Sequence, residues 1–257
     1  MLITTVHNSK GGVGKSTIAV NLAAIAASRG RKTLVVDLDA QANATLSLVG
    51  RTMDDTGATV AAFYEDSLSF KARPMTLDQC IHESGFEHLH LLPAGAGLTD
   101  LQSRLESRSK HTKLGKSLAT LQGYDEVYID TPPVLDFFSR SALIASHRCL
   151  IPFDCDEMAR QALYRLNQAI DEIREDHNAG LRSMVVVNQY NPRSNLPQRV
   201  VQALVDEGLA VLGTKLSASV VVRESRTAAK PLVHFAPGHK VTGEFLALYD
   251  ELDRVAG

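Results

Sequence analysis

A glycine-rich segment near the start of the chain lies between a short apolar run and a helical pattern. Leu2–His7 predicts a buried strand, Lys15–Arg29 predicts a helix, and Asn8–Thr17 joins them with the sequence NSKGGVGKST. Glycine permits the positive φ angles of a tight loop and lets backbone N–H groups approach an anion. The first turn of the following helix adds the positive end of its dipole. The segment therefore predicts a phosphate-binding loop directly after the first strand.

The side chains of this loop suit a nucleoside triphosphate and its metal ion. Lys15 is placed to neutralise the β- and γ-phosphates, and the hydroxyl of Ser16 is placed to ligate Mg²⁺. The alternative, a glycine-rich turn without a ligand, does not explain why strand, glycines, Lys-Ser pair and helix follow in this order. The predicted nucleotide-binding residues of the loop are Lys10, Gly11, Gly12, Val13, Gly14, Lys15, Ser16 and Thr17.

Beyond the loop, short β-branched runs alternate with longer helical patterns. The predicted strands are Leu2–His7, Lys32–Asp37, His88–Leu92, Glu126–Asp130, Cys149–Pro152 and Met184–Asn188. The predicted helices are Lys15–Arg29, Leu98–Leu121, Phe137–Ser146, Glu157–Glu175, Leu196–Glu207 and Val241–Val255. Alternating strands and helices, with strands that are almost continuously apolar, are typical of a parallel sheet that is buried on both faces. We predict an α/β fold with a mostly parallel, twisted sheet flanked by helices on both faces.

Length and pattern favour one domain. The chain has 257 residues and shows neither an internal repeat nor a linker-like segment, so we predict a single domain over residues 1–257. Gly50–Glu87 is the least regular part and a candidate insertion. Because the chain starts directly at the first strand, we expect no N-terminal helix-turn-helix domain.

Charge and cysteine content exclude several classes of protein. The net charge is −2, so nucleic-acid binding would have to come from a local basic patch rather than from the whole chain. The three cysteines include no CxxC pair, which argues against a disulfide framework or a zinc site. A secretory signal and a long apolar segment are both lacking in the sequence, so we expect a cytoplasmic protein.

Acidic residues follow two of the predicted strands. Asp37 and Asp39 come at the end of the second strand, and Asp130 ends the strand Glu126–Asp130. The carboxyl ends of parallel strands meet at the edge where the loop lies, so Asp130 can hold Mg²⁺ directly or through water. Thr131–Asp136 is then placed to sense the γ-phosphate. Helix capping is the alternative role for Asp37 and Asp39.

Together these segments resemble the ParA/MinD family of P-loop ATPases, whose phosphate loop is a deviant Walker A box. In KGGVGKST, Ser9 stands where the standard loop has its first glycine, and Lys10 follows. Asp37–Gln41 is similar to the family's Asp-x-Asp-Pro-Gln box, although Ala40 replaces the proline. The apolar strand that ends at Asp130 resembles the Walker B segment.

This resemblance implies ATP and Mg²⁺ as cofactors and a nucleotide-sandwich homodimer. It implies that Lys10 reaches across the dimer to the phosphates of the partner subunit, like a cation supplied in trans. The catalytic residues would be Lys10, Lys15 and Asp39, of which Asp39 orients the attacking water and lies beside the metal without ligating it. Asn188 would contact the adenine base, with loop capping as its alternative role.

Within the family, the chain is most similar to the ParA/Soj branch. Its tail, Gly243–Gly257, carries four acidic residues and one basic residue, unlike the basic membrane-binding helix of MinD-like proteins. Asn191–Leu196 and Val221–Leu232 resemble two elements of the ParA/Soj branch that carry DNA-contacting arginines. The implied DNA-binding residues are Arg193, Arg223 and Lys230. A solvated basic face is the alternative reading of this patch. A second basic run, Arg104–Lys116, is either a solvated helix face or an additional DNA contact.

The resemblance implies an ATP-dependent DNA partition or cargo-positioning ATPase. The ATP-bound dimer would bind non-specific DNA, and a ParB-like adaptor on the cargo would stimulate an otherwise slow hydrolysis and release the DNA. Such a protein would be cytoplasmic, associated with the nucleoid in its ATP state, and independent of membranes. Two alternatives stay open: a regulatory or scaffold protein that uses ATP without binding DNA, and a MinD-like ATPase at a membrane surface.

Overall fold

One sheet organises the part of the chain that the computed structural model describes, which is residues 1–155, 157–190 and 196–256. Its strands are β1 (Leu2–Val6), β2 (Thr33–Asp37), β3 (His82–Phe86), β4 (Leu89–Leu92), β5 (Glu126–Asp130), β6 (Arg148–Phe153), β7 (Arg182–Tyr190) and β8 (Val211–Ser217). They lie in the order β3-β4-β2-β5-β1-β6-β7-β8. Among the strands of the described residues, only the β3–β4 pair is antiparallel. The predicted mostly parallel α/β fold is confirmed.

Helices connect the strands and cover the sheet. They are α1 (Lys15–Ser28), α2 (Asn43–Val49), α3 (Val60–Ser67), α4 (Leu98–Ser107), α5 (Lys113–Leu118), α6 (Phe137–Ala145), α7 (Glu157–Asp176), α8 (Leu196–Asp206), α9 (Val220–Thr227), α10 (Leu232–Phe235) and α11 (Lys240–Ala256). Short 3₁₀ turns lie at Asp54–Thr56, Leu77–Cys80 and Lys110–Thr112. No helix within the described ranges is both long and apolar enough to cross a lipid bilayer.

The sheet is buried on both faces because successive strand residues point in opposite directions. In β5, Tyr128 packs into the layer that contains α1 and α11. Its neighbours Val127 and Ile129 pack on the other face, with α3, α4, α5 and α6. Helices α7 and α8 continue that second face over β6 and β7. This two-sided burial explains why the strands read as continuous apolar runs.

The prediction of one helix over Leu98–Leu121 is wrong. Helix α4 ends at Ser107, Ser109 adopts a left-handed φ of 51°, and α5 begins only at Lys113 after a 3₁₀ turn. A residue in the left-handed region cannot continue an α-helix. The sequence around this break, Ser107–Ser109, contains neither glycine nor proline, so it gives no ordinary stop signal.

The region Gly50–Glu87 is more regular than its sequence indicates. It contains α3, whose N-terminus is capped by the Thr59 hydroxyl, and the edge strand β3. The strand has the sequence HESGF, which lacks the apolar alternation of a half-buried strand. Sequence reasoning also did not find β8, α2, α9 and α10.

Candidate functional site

The carboxyl ends of β1, β2 and β5 meet at one place on the sheet edge. The backbone register pairs Asp130 of β5 with Val6 of β1 on one side and with Asp37 of β2 on the other. The glycine-rich loop follows β1 at this point and borders a cavity of about 650 Å³. The predicted residues that line the cavity are Gly11, Gly12, Gly14, Lys15, Ser16, Thr17, Asp39, Asn188 and Arg223.

The loop has the conformation that its glycines predict. Gly12 and Gly14 adopt φ angles of 76° and 90°, which L side chains rarely reach. A Cβ atom on Gly14 would also lie only 2.4 Å from Nδ2 of Asn188. Val13, between them, is fully buried and anchors the loop in the core. Helix α1 then begins at Lys15, so the N–H groups of its first turn face the cavity wall.

Lys15 lies inside the loop rather than in solvent. The residue is 7% exposed, and Nζ donates to the carbonyl oxygen of Lys10 at 3.3 Å. Burial lowers the pKa of Lys15, whereas the negative charges of Asp130 and Asp39 act in the opposite direction. The ammonium group therefore lies among carboxylates at the mouth of the anion-binding loop, where it can neutralise a phosphate oxygen.

Asp130 is a buried carboxylate without a hydrogen-bond partner among the described residues. Both of its oxygens are enclosed, and neither receives a hydrogen bond of normal geometry. Burial and then the charge of Asp37 raise the pKa of Asp130 well above its usual value, although Ser16 and Lys15 oppose the shift. An uncompensated carboxylate is costly in the interior. Oxygen atoms of this kind, beside the hydroxyl of Ser16, fit a magnesium ion that retains some of its water ligands.

Asp37 and Asp39 have different roles. Asp37 is fully buried and accepts hydrogen bonds from the backbone N–H and the hydroxyl of Thr45 at 2.8 Å each, so it secures the start of α2. Burial raises the pKa of Asp37 to about 6. Asp39 lies at the cavity wall, where Oδ1 accepts from the backbone N–H of Gln41 at 2.9 Å. Asp37 therefore bonds the first turn of α2, while Asp39 borders the space available to a ligand.

Two amide side chains at the end of β7 hold the loop. Asn188 donates from Nδ2 to the carbonyl of Val13 at 2.8 Å, and Gln189 donates from Nε2 to that of Gly12 at 2.9 Å. Gln189 has a left-handed φ of 54°, which brings consecutive side chains to the same loop. No local sequence pattern indicates Gln189, because its contact with Gly12 depends on a strand far along the chain. Contact between Asn188 and adenine stays a prediction.

Lys10 is directed towards the end of β6. Its Nζ forms an ion pair with Oδ2 of Asp154 at 2.6 Å, and its backbone N–H donates to Oδ1 of Asn8 at 2.9 Å. Asn8 in turn donates to the carbonyl of Pro152. Lys10 is not among the described residues that line the cavity, unlike Lys15. Asp154 is an ion-pair partner of Lys10 that the sequence did not predict.

The segment Thr131–Asp136 begins next to the loop and ends at a helix. The hydroxyl of Thr131 donates to the carbonyl of Val6 at 2.9 Å and lies 2.8 Å from Nδ1 of His7. Pro133 lines the cavity, and Asp136 caps α6 by accepting from the backbone N–H of Ser139. The segment therefore connects the end of β5, the cavity and α6.

Of the predicted DNA-binding residues within the described ranges, Arg223 lines the same cavity and Lys230 is not among its lining residues. Arg223 on α9 and Lys230 just after it are exposed, and Arg226, one turn from Arg223, joins it in lining the cavity. Arg193 lies outside the described residues. The rival run Arg104–Lys116 lies on α4 and α5, which cover the opposite face of the sheet from α9.

A mostly parallel sheet whose first strand runs into a glycine-rich loop and a helix defines the P-loop class of nucleotide-binding proteins. Residues 1–183 match the model of the AAA domain family. The chain is 31% identical to the chromosome partitioning protein ParA of Myxococcus xanthus, with 97% of this chain and 87% of that protein covered. It is 33% identical to the chromosome-partitioning ATPase Soj of Thermus thermophilus, with 90% and 86% covered. The chain belongs to the ParA/Soj family of partition ATPases.

Solved structures with less sequence identity share the fold. A McdA variant from Cyanothece in complex with ATP has a TM-score of 0.86 and 19% identity, with 98% of this chain and 96% of that chain covered. A plasmid partition protein from Borrelia burgdorferi bound to AMPPNP has a TM-score of 0.81 and 23% identity, with 98% of each chain covered. A cobyrinic acid a,c-diamide synthase from Mycobacterium smegmatis with an ATP analogue and magnesium reaches 0.85 and 24%, with 99% and 94% covered. Because these proteins carry different names on one architecture, the fold alone does not select a function.

Proposed function

We propose that the protein binds ATP and Mg²⁺ in the cavity at the carboxyl edge of the sheet and hydrolyses ATP to ADP and phosphate. The buried carboxylate of Asp130 beside Ser16 carries this proposal, because no described residue gives it a hydrogen bond of normal geometry. Bound Mg²⁺ would neutralise the β- and γ-phosphate oxygens as charge moves onto the leaving group. Ser16 and Asp130 would hold it, while Lys15 and the loop N–H groups bind the phosphates.

Hydrolysis needs an oriented water and a cation for the developing charge. Asp39 borders the cavity and is placed to orient the water that attacks the γ-phosphorus. The water oxygen forms a bond to the γ-phosphorus, and the bond from that phosphorus to the leaving β-phosphate oxygen of ADP breaks. One proton of the water stays on the phosphate product, and the other is released to solvent. Lys10 does not line the cavity of its own chain. We infer that it acts on the nucleotide of a second subunit, so that the ATP-bound state is a homodimer.

The ATP-bound dimer would bind DNA without sequence preference. Arg223 and Lys230 are exposed cations, Arg223 lines the nucleotide cavity, and a dimer doubles their number. Neutralising phosphates releases counterions, so this binding would weaken steeply with salt. A ParB-like adaptor on the cargo would stimulate hydrolysis, split the dimer and free the DNA. The protein would then act in the cytoplasm and associate with the nucleoid only in its ATP state.

Binding to non-specific duplex DNA tests this function. We expect salt-sensitive binding with ATP and none with ADP or without nucleotide. Arg223→Ala should still dimerise with ATP but lose about tenfold in DNA affinity. Arg254→Ala, at an exposed position of α11 outside both basic runs, is the matched control and should bind as the wild type does. Lys15→Ala should lose ATP binding by at least about a hundredfold; ATP affinity retained in this variant would contradict the role of the loop.

A second candidate function follows from the position of α9. Arg223 and Arg226 line the cavity that contains the phosphate loop, so they could contact the nucleotide instead of DNA. The protein would then be an ATP-dependent regulator or scaffold. ATP affinity of Arg223→Ala, measured without DNA, separates the two functions. A large loss favours the regulator, and an unchanged affinity favours the DNA-binding ATPase.

A further inference from the structure

The ion pair between Lys10 and Asp154 joins two segments that are distant in sequence. Nζ of Lys10 lies 2.6 Å from Oδ2 of Asp154, and the two side chains are only 31% and 18% exposed. The other carboxylate oxygen of Asp154 is buried and lacks a hydrogen-bond partner within the described part of the chain. The pair is therefore partly shielded from water, where an ion pair is stronger than on an open surface.

Hydrogen bonds of the neighbouring Asn8 side chain reinforce the ion pair. The side chain of Asn8 donates to the carbonyl of Pro152 at 2.7 Å and accepts from the N–H of Lys10 at 2.9 Å. The start of the phosphate loop is thus bound to the end of β6 by the hydrogen bonds of the Asn8 side chain as well as by the ion pair. Lys10 is held towards its own β6, while Lys15 faces the cavity.

We propose that Asp154 is a positioning residue that keeps Lys10 within its own subunit, and that opening of this ion pair is a required step in the assembly of the ATP-bound dimer. The inference rests on the proposed function, because it takes Lys10 to act on the partner's nucleotide. The electrostatic reason is competition. The carboxylate of Asp154 and the phosphates of the partner's nucleotide compete for the ammonium group of Lys10. A stronger ion pair with Asp154 therefore weakens the contact of Lys10 with those phosphates.

Replacing the carboxylate by an amide of the same shape weakens this hold without opening a cavity. We therefore expect Asp154→Asn to dimerise with the slowly hydrolysed analogue ATPγS at about tenfold lower protein concentration than the wild type, since the removed charge no longer competes. Sedimentation equilibrium over a range of protein concentrations measures the dimer dissociation constant. Glu207→Gln is the matched control, because Glu207 forms an ion pair of the same 2.6 Å length with Arg160, outside the proposed site.

A double-mutant cycle separates this role from a merely structural one. In a Lys10→Ala background, Asp154→Asn should change the dimer dissociation constant by less than about twofold, because the competing ammonium group is gone. Equal shifts in both backgrounds, or an unchanged or weaker dimer for Asp154→Asn alone, would overturn the inference. If Asp154→Asn unfolds, Asp154→Ser supplies the same comparison, with thermal unfolding as the check on folding.

The same experiment distinguishes a failure of the proposed ATP-bound dimer from a failure of the role inferred for Asp154. A wild-type protein that stays monomeric with ATPγS at every concentration overturns the proposed dimer and the inference together. A wild-type protein that dimerises, but whose dissociation constant does not respond to Asp154→Asn, overturns only the inference. A dimer that tightens in Asp154→Asn and depends on Lys10 supports both.

Discussion

Strand β5 carries a buried carboxylate at each end, and the two carboxylates differ in the hydrogen bonds that they receive. At its start, Glu126 is 2% exposed and accepts hydrogen bonds from Arg31 at 2.8 Å, from the Tyr128 hydroxyl at 2.7 Å and from the Tyr249 hydroxyl at 2.5 Å. At its end, Asp130 is fully buried and receives none within the described residues. The fold supplies hydrogen-bond donors to Glu126, whereas the described residues supply none of normal geometry to Asp130, the carboxylate that the proposed function assigns to magnesium.

The comparison of Glu126 with Asp130 distinguishes a carboxylate that stabilises the fold from a candidate functional carboxylate on the same strand. Buried charges are normally paired, and an unpaired one is a candidate functional group. Arg31 also pairs with Asp253 on α11, so ion pairs and hydrogen bonds around Glu126 connect the amino edge of the sheet to that helix. At the carboxyl edge, where the phosphate loop lies, the described residues form no such network around Asp130. The four predictions below test this division.

Glu126→Ala should give the largest effect on folding. Removing this carboxylate leaves two tyrosine hydroxyls and a guanidinium without their shared acceptor, so we expect a loss of about 4 kcal/mol in the free energy of unfolding. Urea denaturation measures it. ATP affinity of the folded protein should stay within about twofold of the wild type. A small stability change combined with lost ATP binding would reverse the comparison.

The pH dependence of the free energy of unfolding should show the cost of burying the ionised carboxylate of Asp37 at the carboxyl edge of the sheet. Burial raises the pKa of Asp37 from 3.8 to about 6, so the folded state binds a proton that the unfolded state has already released. Without nucleotide and magnesium, the free energy of unfolding should therefore fall by about 3 kcal/mol as the pH rises from about 4 to about 6. Chemical denaturation at several pH values measures this fall. Asp37→Asn should remove this part of the slope, and an undiminished slope would assign it to other groups.

Asp130→Asn should have opposite effects on stability and binding. Without ligands, the amide removes an uncompensated buried charge, so we expect the free energy of unfolding at pH 7.5 to rise by about 2 kcal/mol. Magnesium-dependent ATP affinity should fall by at least about tenfold, because the amide is a weaker ligand for the cation or its waters. Calorimetric titration with and without magnesium measures the second effect. A variant that is less stable and still binds in a magnesium-dependent way would show that Asp130 is structural.

Tyr249→Phe should give the smallest effect. It removes one of several donors to Glu126 and keeps the aromatic packing of α11, so about 1 kcal/mol should be lost from the free energy of unfolding. Thermal unfolding measures it, and ATP binding should be unchanged. A loss as large as that of Glu126→Ala would mean that this hydroxyl alone compensates the carboxylate.

The parts of the site that lie close together in sequence were predictable. Gly12, Gly14, Lys15 and Ser16 belong to one loop whose geometry depends on local backbone freedom and on the helix that follows. Asp130 was predictable because the carboxyl ends of parallel strands share one edge of the sheet. The fold class followed from the same alternation of strands and helices.

The missed residues depend on contacts between distant segments. Asp154 meets Lys10 across 144 positions, and Gln189 meets Gly12 across 177. Arg226 joins the cavity only because α9, which was not predicted, packs beside α2. Periodicity reports which face of an element is buried but not which side chain a neighbouring strand supplies.

The amide contacts from β7 have a consequence for dividing the molecule. The match to the family model ends at residue 183, whereas the side chains that hold the phosphate loop, Asn188 and Gln189, come just after it. A fragment that stopped at residue 183 would contain the whole loop and the carboxylate of Asp130. It would nevertheless lack the two amide donors to the carbonyls of Gly12 and Val13. The residues that form the recognisable motif and the residues that stabilise its conformation therefore lie in different segments of the chain.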